Sequence, residues 1–127
     1  MDTSPDVPKG LRTWFVIHFA VDIIFAVPLL LVPDWILPLF GWSAVDPITS
    51  RLVGAALLGI GGASLLERNA GREVFRAMLG LKIIWATAAI LAIALGILAG
   101  GPATAWLFFA IFVVFLAVWI RYRRAIG

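Results

Sequence analysis

Four long apolar runs separated by short polar stretches constrain the fold of this 127-residue chain more than any other feature. They cover about residues 12–32, 48–66, 74–99 and 103–120. A helix of roughly 20 apolar residues crosses the hydrocarbon core of a bilayer. With 63% hydrophobic and 13% charged residues, a soluble domain of this size could not bury its apolar surface. We therefore predict an all-α integral membrane protein, with residues 1–127 forming a single four-helix bundle.

The basic residues predict the orientation of these spans. The chain has ten lysines and arginines, and eight of them lie in three polar stretches outside the apolar runs. Short loops rich in lysine and arginine stay in the cytoplasm, so we predict a multi-pass protein of the cell (plasma) membrane with a cytoplasmic N-terminus and C-terminus. Basic residues at helix ends favour membrane lipids as partners and disfavour nucleic acid. The eight residues are Lys9, Arg12, Arg68, Arg72, Arg76, Arg121, Arg123 and Arg124.

Local signals predict how the first outer connection folds. Pro33, Pro38 and Gly41 interrupt the first apolar run, and residues 35–40 between them suit a short turn at the membrane interface. Asp46-Pro47 is typical of a helix start, because Asp46 can accept from exposed amides and proline fits the first helical position.

The second span carries a stripe of small residues that predicts close helix packing. Small side chains at a spacing of about four residues let helix backbones approach each other in lipid. We interpret the stripe as packing within the bundle, and a homo-oligomer or a membrane protein partner is the alternative. Its helix-packing residues are Gly54, Ala55, Gly59, Gly62 and Ala63.

The fourth span is rich in aromatic residues, whereas the second is rich in small ones. Five aromatic residues recur along one stripe of the predicted helix. We interpret this stripe as lipid contact and core filler, with a ligand platform as the alternative. The stripe comprises Phe108, Phe109, Phe112, Phe115 and Trp119.

Asp22 is the polar residue that is hardest to explain in a membrane span. It lies near the middle of the first span, where a carboxylate costs roughly 3 kcal/mol on insertion scales. His18 precedes it by one helical turn and shares its face. We expect the two side chains to meet. Asp22 then serves either in a structural interhelical hydrogen bond or buried ion pair, or in a ligand, proton or substrate site.

Two basic residues depart from the segregated pattern and could reach the same interior. Lys82 lies within the third span, with Trp85 on the same face, and Arg51 lies near the outer end of the second. We predict a ligand or proton site formed by Asp22, His18, Lys82, Arg51 and Trp85.

Each of the two basic residues also has an alternative role. Lys82 could extend its ammonium to the inner interface. Arg51 could pair with Asp46 or Asp34 at the outer surface.

No enzyme signature is present in the sequence. The chain has no cysteine and one histidine, which disfavours a bound transition metal. Residues 59–62 are rich in glycine but lack a phosphate-loop lysine. We predict no cofactor, no metal and no catalytic residue. An enzyme that acts on lipids, with His18 and Asp22 as an acid–base pair, is a further alternative.

Residues 40–85 resemble a broad group of small four-span prokaryotic integral membrane proteins, many of them uncharacterised or labelled DoxX-like. The resemblance covers about a third of the chain. It implies a membrane four-helix bundle and no established reaction, so it assigns no catalytic residue. The motifs that carry it are Phe40-Gly41-Trp42, Asp46-Pro47, Arg51-Leu52-Val53-Gly54-Ala55, Leu65-Leu66-Glu67-Arg68 and Lys82.

Two functions fit these observations. The favoured one is a non-enzymatic membrane protein, either an accessory subunit or a binder of a lipid or hydrophobic small molecule. The alternative is a proton-coupled small-molecule transporter that uses Asp22, because small multidrug exporters also carry one acidic residue in the first of four spans. Those exporters have weak charge bias, whereas the bias here is strong.

Overall fold

The computed structural model describes residues 7–127, and within them the chain forms five α-helices. Four of these helices are long and apolar enough to cross a membrane, as a membrane-embedded bundle requires. The chain is therefore all-α and has the helices of a multi-pass membrane protein. The helices are α1 (Lys9–Leu31), α2 (Pro33–Leu39), α3 (Pro47–Leu66), α4 (Arg72–Leu98) and α5 (Ala105–Ile126).

The helices fall into two compact units. The first unit ends at Gly71 and holds α1, α2 and α3, and the second runs from Arg72 to Gly127 and holds α4 and α5. Within the first unit, α1 packs mainly on α3, and within the second, α4 packs on α5.

The helix α3 starts as the sequence predicts, whereas α2 starts earlier than expected. The short turn was expected at residues 35–40, but α2 begins at Pro33, ends at Leu39 and contains Pro38. At α3 the amide of Ile48 donates to Asp46 Oδ1 at 3.0 Å, and Pro47 occupies the first helical position. The Asp46 carboxylate thus satisfies an amide that the helix itself leaves without an acceptor.

Glycine ends α2 and α4 in the same way. Gly41 and Gly100 both have φ near 94°, a left-handed conformation in which any other side chain would be strained. In each case the next amide donates five residues back, from Trp42 to the Leu37 carbonyl and from Gly101 to the Gly96 carbonyl. This bonding satisfies carbonyls at the helix end and turns the chain sharply.

The helices α1 and α3 run antiparallel along a face where small residues permit close approach. Near one end, a Cβ built on Gly54 would lie 3.0 Å from Leu30 Cγ and 3.1 Å from the Ala26 carbonyl oxygen. Near the other end, the Arg12 guanidinium donates to the carbonyls of Arg68 and Ala70 at 3.1 and 2.9 Å. The buried positions of α1 recur every three or four residues: Leu11, Phe15, His18, Asp22 and Ala26.

The second unit pairs two helices that extend beyond the apolar runs. The third apolar run was expected to begin at residue 74, but α4 begins at Arg72. The fourth was expected to end at residue 120, but α5 continues to Ile126. Arginine is a good helix former and suits a helix C-terminus, so the polar segment 121–124 prolongs α5.

Candidate functional site

A histidine and a carboxylate lie side by side within the first unit. His18 Nε2 is 3.3 Å from Asp22 Oδ2, and both side chains are buried. The spacing of four residues on α1 brings them onto one face, as the sequence predicts. The His18–Asp22 pair therefore places two titratable side chains near the middle of α1.

Glycine on α3 makes the room that the Asp22 carboxylate occupies. A Cβ built on Gly61 would lie 2.7 Å from Asp22 Cβ and 3.1 Å from Asp22 Oδ2. Contacts under about 3 Å between carbon atoms are strongly repulsive, because carbon pairs prefer separations of roughly 3.5–4.0 Å. Gly61 therefore lets the backbone of α3 approach the acidic residue directly.

A hydroxyl lies one turn further along α3. Ser64 is fully buried, and its Oγ donates to the Ile60 carbonyl at 2.8 Å. The antiparallel register that sets Gly61 against Asp22 puts Ser64 at the level of His18. An imidazole, a carboxylate and a hydroxyl thus lie near one another in the first unit. We call His18, Asp22 and Ser64 the polar level of this unit.

Arg51 lies away from this polar level. Its Nε donates to the Leu30 carbonyl at 3.0 Å, and the residue is exposed. Leu30 is eight residues beyond Asp22, which corresponds to about 12 Å along a helix axis. The structure therefore places Arg51 at the C-terminal end of α1, where a cation also complements the helix dipole.

Lys82 is fully buried within the second unit. Its Nζ lies 4.8 Å from the centroid of the Trp119 ring, within the range of a cation–π contact. Trp119 in turn stacks on Phe115, with ring centroids 5.5 Å apart. An ammonium that extended to the interface would be exposed, so the alternative of an outward-reaching Lys82 is wrong.

Trp85 continues the aromatic environment of Lys82 along α4. Its ring meets Phe112 edge-on at 6.0 Å. Its indole Nε1 is buried and makes no hydrogen bond to any residue from 7 to 127. We call Lys82, Trp85, Phe112, Phe115 and Trp119 the Lys82 aromatic group.

Comparison with known proteins leaves the family open. No protein-family model, curated protein or solved structure matches this chain. The resemblance to DoxX-like proteins therefore stays a prediction. Function has to be argued from the side chains, because a helical bundle serves many unrelated activities.

The structure brings some of the predicted site residues together. His18 and Asp22 meet within the first unit, and Lys82 and Trp85 belong to one group in the second. Their role as a ligand or proton site stays a prediction. Among residues 7–127, no group of three or more histidine, aspartate or glutamate side chains could hold a metal ion.

Sequence reasoning missed two residues of these sites. Trp119 was interpreted with the aromatic stripe as lipid contact and core filler. Its 1% exposure agrees with core filler, but its contact with the Lys82 ammonium was not expected. Gly61 was absent from the predicted packing stripe, yet it faces Asp22. Its spacing of seven residues from Gly54 is the signal that could have identified it, because i and i+7 share a helix face.

The predicted stripe of small residues divides between two faces of α3. Gly54 is buried against α1, whereas Ala55 and Gly59 are exposed. Gly62 and Ala63 are half-buried, and a Cβ built on Gly59 or Gly62 meets no atom within 4 Å. Packing on α1 therefore uses Gly54 and Gly61, and a partner chain on the exposed small residues stays a prediction.

Proposed function

We propose that this chain is a non-enzymatic protein of the cell membrane that binds a lipid or another hydrophobic small molecule. In this proposal both termini face the cytoplasm, and the ligand lies against α4 and α5. The supporting observation is the buried indole N–H of Trp85, which makes no hydrogen bond to any described residue.

A buried donor of this kind calls for an acceptor. Leaving a buried polar group without a hydrogen bond costs about 1–3 kcal/mol, and most such groups in proteins have partners. Ligands that dissolve in membranes commonly carry ester, carboxyl or carbonyl oxygens. One such oxygen would accept from Trp85 Nε1 while the apolar part of the ligand packs on Phe112.

The aromatic rings near Trp85 supply an apolar wall for such a ligand. Lys82 lies three residues before Trp85 on the same face of α4, and its ammonium lies over the ring of Trp119. Apolar walls with a few convergent polar groups are typical of small-molecule sites.

A comparison of lipid-dependent thermal stabilisation between the wild type and Trp85→Phe tests this proposal. Delipidated protein in detergent is titrated with glycerophospholipids, fatty acids and isoprenoid lipids while its thermal midpoint is recorded. We expect a ligand to raise the midpoint of the wild type, and Trp85→Phe to require about fivefold more ligand because one hydrogen bond is lost.

Trp106→Phe is the matched control for this titration. Trp106 is 56% exposed and contacts Phe109 at the far end of α5, so its replacement should leave the ligand response unchanged. A wild-type midpoint that no lipid raises, or equal responses in all three proteins, would refute binding at Trp85.

The His18–Asp22 pair favours a second function, proton-coupled transport of a small molecule. A carboxylate and an imidazole 3.3 Å apart can share or exchange a proton, which a transporter could couple to a cationic substrate. The favoured function does not use this pair for chemistry, and the two proposals therefore predict different outcomes for Asp22.

Proton flux in proteoliposomes distinguishes the two functions. If the chain is a transporter, a gradient of a cationic substrate drives proton movement in the wild type and in Asp34→Asn, whose carboxylate is exposed on α2. Asp22→Asn should then abolish the flux. Wild-type protein without flux for every cation tested would eliminate the transporter.

A further inference from the structure

Five arginines gather at one end of the second unit. They lie on the first turns of α4 and the last turns of α5, which meet because the two helices run antiparallel. Arg72 Nε donates to the Ile126 carbonyl at 2.7 Å, so the start of α4 touches the end of α5. We call this group the arginine end: Arg72, Arg76, Arg121, Arg123 and Arg124.

The positive charge of the arginine end is scarcely balanced within its own unit. Glu73 is the one acidic residue between Arg72 and Gly127. Its carboxylate lies 3.8 Å from Arg72, and its side chain is 81% exposed. Among side chains, five arginines against one glutamate leave an excess of four positive charges at this end.

Arg76 shows where an acceptor is needed. Its Nε is buried and makes no hydrogen bond to any residue in the described part of the chain. It lies one turn further along α4 than Arg72, so the register that pairs Arg72 with Ile126 puts it at the level of Arg123, which is half-buried. Two arginines of adjacent helices therefore lie at about the same level of the unit.

We infer that the arginine end binds the phosphodiester of an anionic glycerophospholipid. Guanidinium groups match phosphate oxygens through parallel N–H donors, and Arg76 Nε would supply one of them. The apolar stretches of α4 and α5 begin immediately beyond these arginines, so a phosphate at this level would have its acyl chains alongside the helices. That continuity favours a lipid over free phosphate.

This site is distinct from the Lys82 aromatic group and does not depend on the proposed function. Arg76 and Lys82 are six residues apart on α4, about 9 Å along the axis. A headgroup at Arg76 could bind whether or not a ligand accepts from Trp85. A negative result at one site therefore does not decide whether the other site binds a ligand.

Competition between two lipids tests the inference. Delipidated full-length protein is mixed with equimolar phosphatidylglycerol and phosphatidylcholine of identical acyl chains, and bound lipid is counted by native mass spectrometry. We expect the wild type to prefer phosphatidylglycerol. Arg76→Gln and Arg123→Gln should each reduce that preference about fivefold, the effect of one arginine at an anionic surface.

Lys9→Gln is the control for simple loss of charge. Lys9 is exposed on α1, outside the arginine end, so its replacement should leave the preference unchanged. If Arg76→Gln does not fold, as judged by helicity and elution volume, Arg123→Gln decides the result. Equal lipid preference in the wild type and the arginine variants, or an equal loss in Lys9→Gln, overturns the inference.

A second arm of this experiment adds inorganic phosphate and distinguishes a lipid headgroup from free phosphate as the ligand. Millimolar phosphate added to the wild type should leave bound phosphatidylglycerol in place, because the acyl chains contribute to binding the lipid alone. Displacement of the lipid by phosphate would assign the arginine end to a soluble anion and overturn the inference.

Discussion

Gly61 and Gly59 show how differently two glycines on one helix can matter. A Cβ at Gly61 would lie 2.7 Å from Asp22 Cβ, an atom fixed to the backbone of α1, so the overlap could be relieved only by moving a helix. A Cβ at Gly59 would meet no atom within 4 Å. The first glycine therefore serves close packing, and the second does not within this chain.

Replacing each of these glycines with alanine should separate the two roles. We expect Gly61→Ala to lower the free energy of unfolding by about 1–3 kcal/mol through overpacking. Gly59→Ala should cause no loss and a gain of up to about 1 kcal/mol, because alanine is the better helix former. Unfolding in mixed micelles, followed by helicity, measures both, and equal effects would contradict the assigned packing face.

Residue spacing predicted the His18–Asp22 pair but could not predict which residues of other helices pack against the site residues. Two positions four apart on a helix share a face in any protein, so the 3.3 Å contact followed from sequence. Gly61 as the neighbour of Asp22, and Trp119 as the neighbour of Lys82, depend on how two helices meet within each unit. Helix register is set by tertiary packing, which a single sequence does not reveal.

Arg12 connects two elements at the end of the first unit. Its guanidinium donates to the carbonyls of Arg68 and Ala70, in the turn after α3. These carbonyls follow the last turn of α3 and have no helical partner of their own. The side chain thereby fixes the start of α1 to the turn that leads away from α3.

Arg12→Gln should loosen this connection. We expect a loss of about 1–2 kcal/mol, since hydrogen bonds from a charged donor contribute more than neutral ones and this group is part-buried. Hydrogen exchange of the amides from 67 to 71 should accelerate as well. The exposed Lys9→Gln removes the same charge and should change neither measurement; matching effects would show that charge alone is responsible.

Helix boundaries marked by local capping residues were more predictable than boundaries marked by hydropathy alone. Asp46 and Pro47 act through contacts within a few residues, so α3 begins where the sequence predicts. The start of α4 and the end of α5 extend into arginine-rich segments, which hydropathy alone assigns to loops. A helix can continue into water as long as its residues favour helix, and hydropathy does not measure that preference.

Considered as a whole, the chain carries apolar side chains on its outside. Leu98 is 84% exposed and Ile48 is 72% exposed, and many other large aliphatic residues are exposed with them. Large exposed apolar surfaces are rare in soluble proteins and mark contact with a membrane or a partner. Lipid contact accounts for these surfaces, in agreement with four helices long enough to span a membrane.

Cysteine labelling can test the predicted orientation directly, because the chain contains no cysteine of its own. Single cysteines are introduced at Ser43 and Ala103, in the two connections that should face outward, and at Arg124 near the C-terminus. We expect an impermeant maleimide to label the first two in intact cells and Arg124→Cys only after lysis. Labelling of Arg124→Cys in intact cells would contradict cytoplasmic termini.

Lipid retained through purification tests the central claim of a membrane protein that binds a lipid or hydrophobic small molecule. Protein extracted from membranes is washed exhaustively in detergent, and the bound lipid or small molecule is quantified per chain by liquid chromatography and mass spectrometry. We predict that the wild type keeps a constant amount per chain through further washing and that Trp85→Phe keeps less. Complete loss of bound molecules from the folded wild type would contradict the proposal.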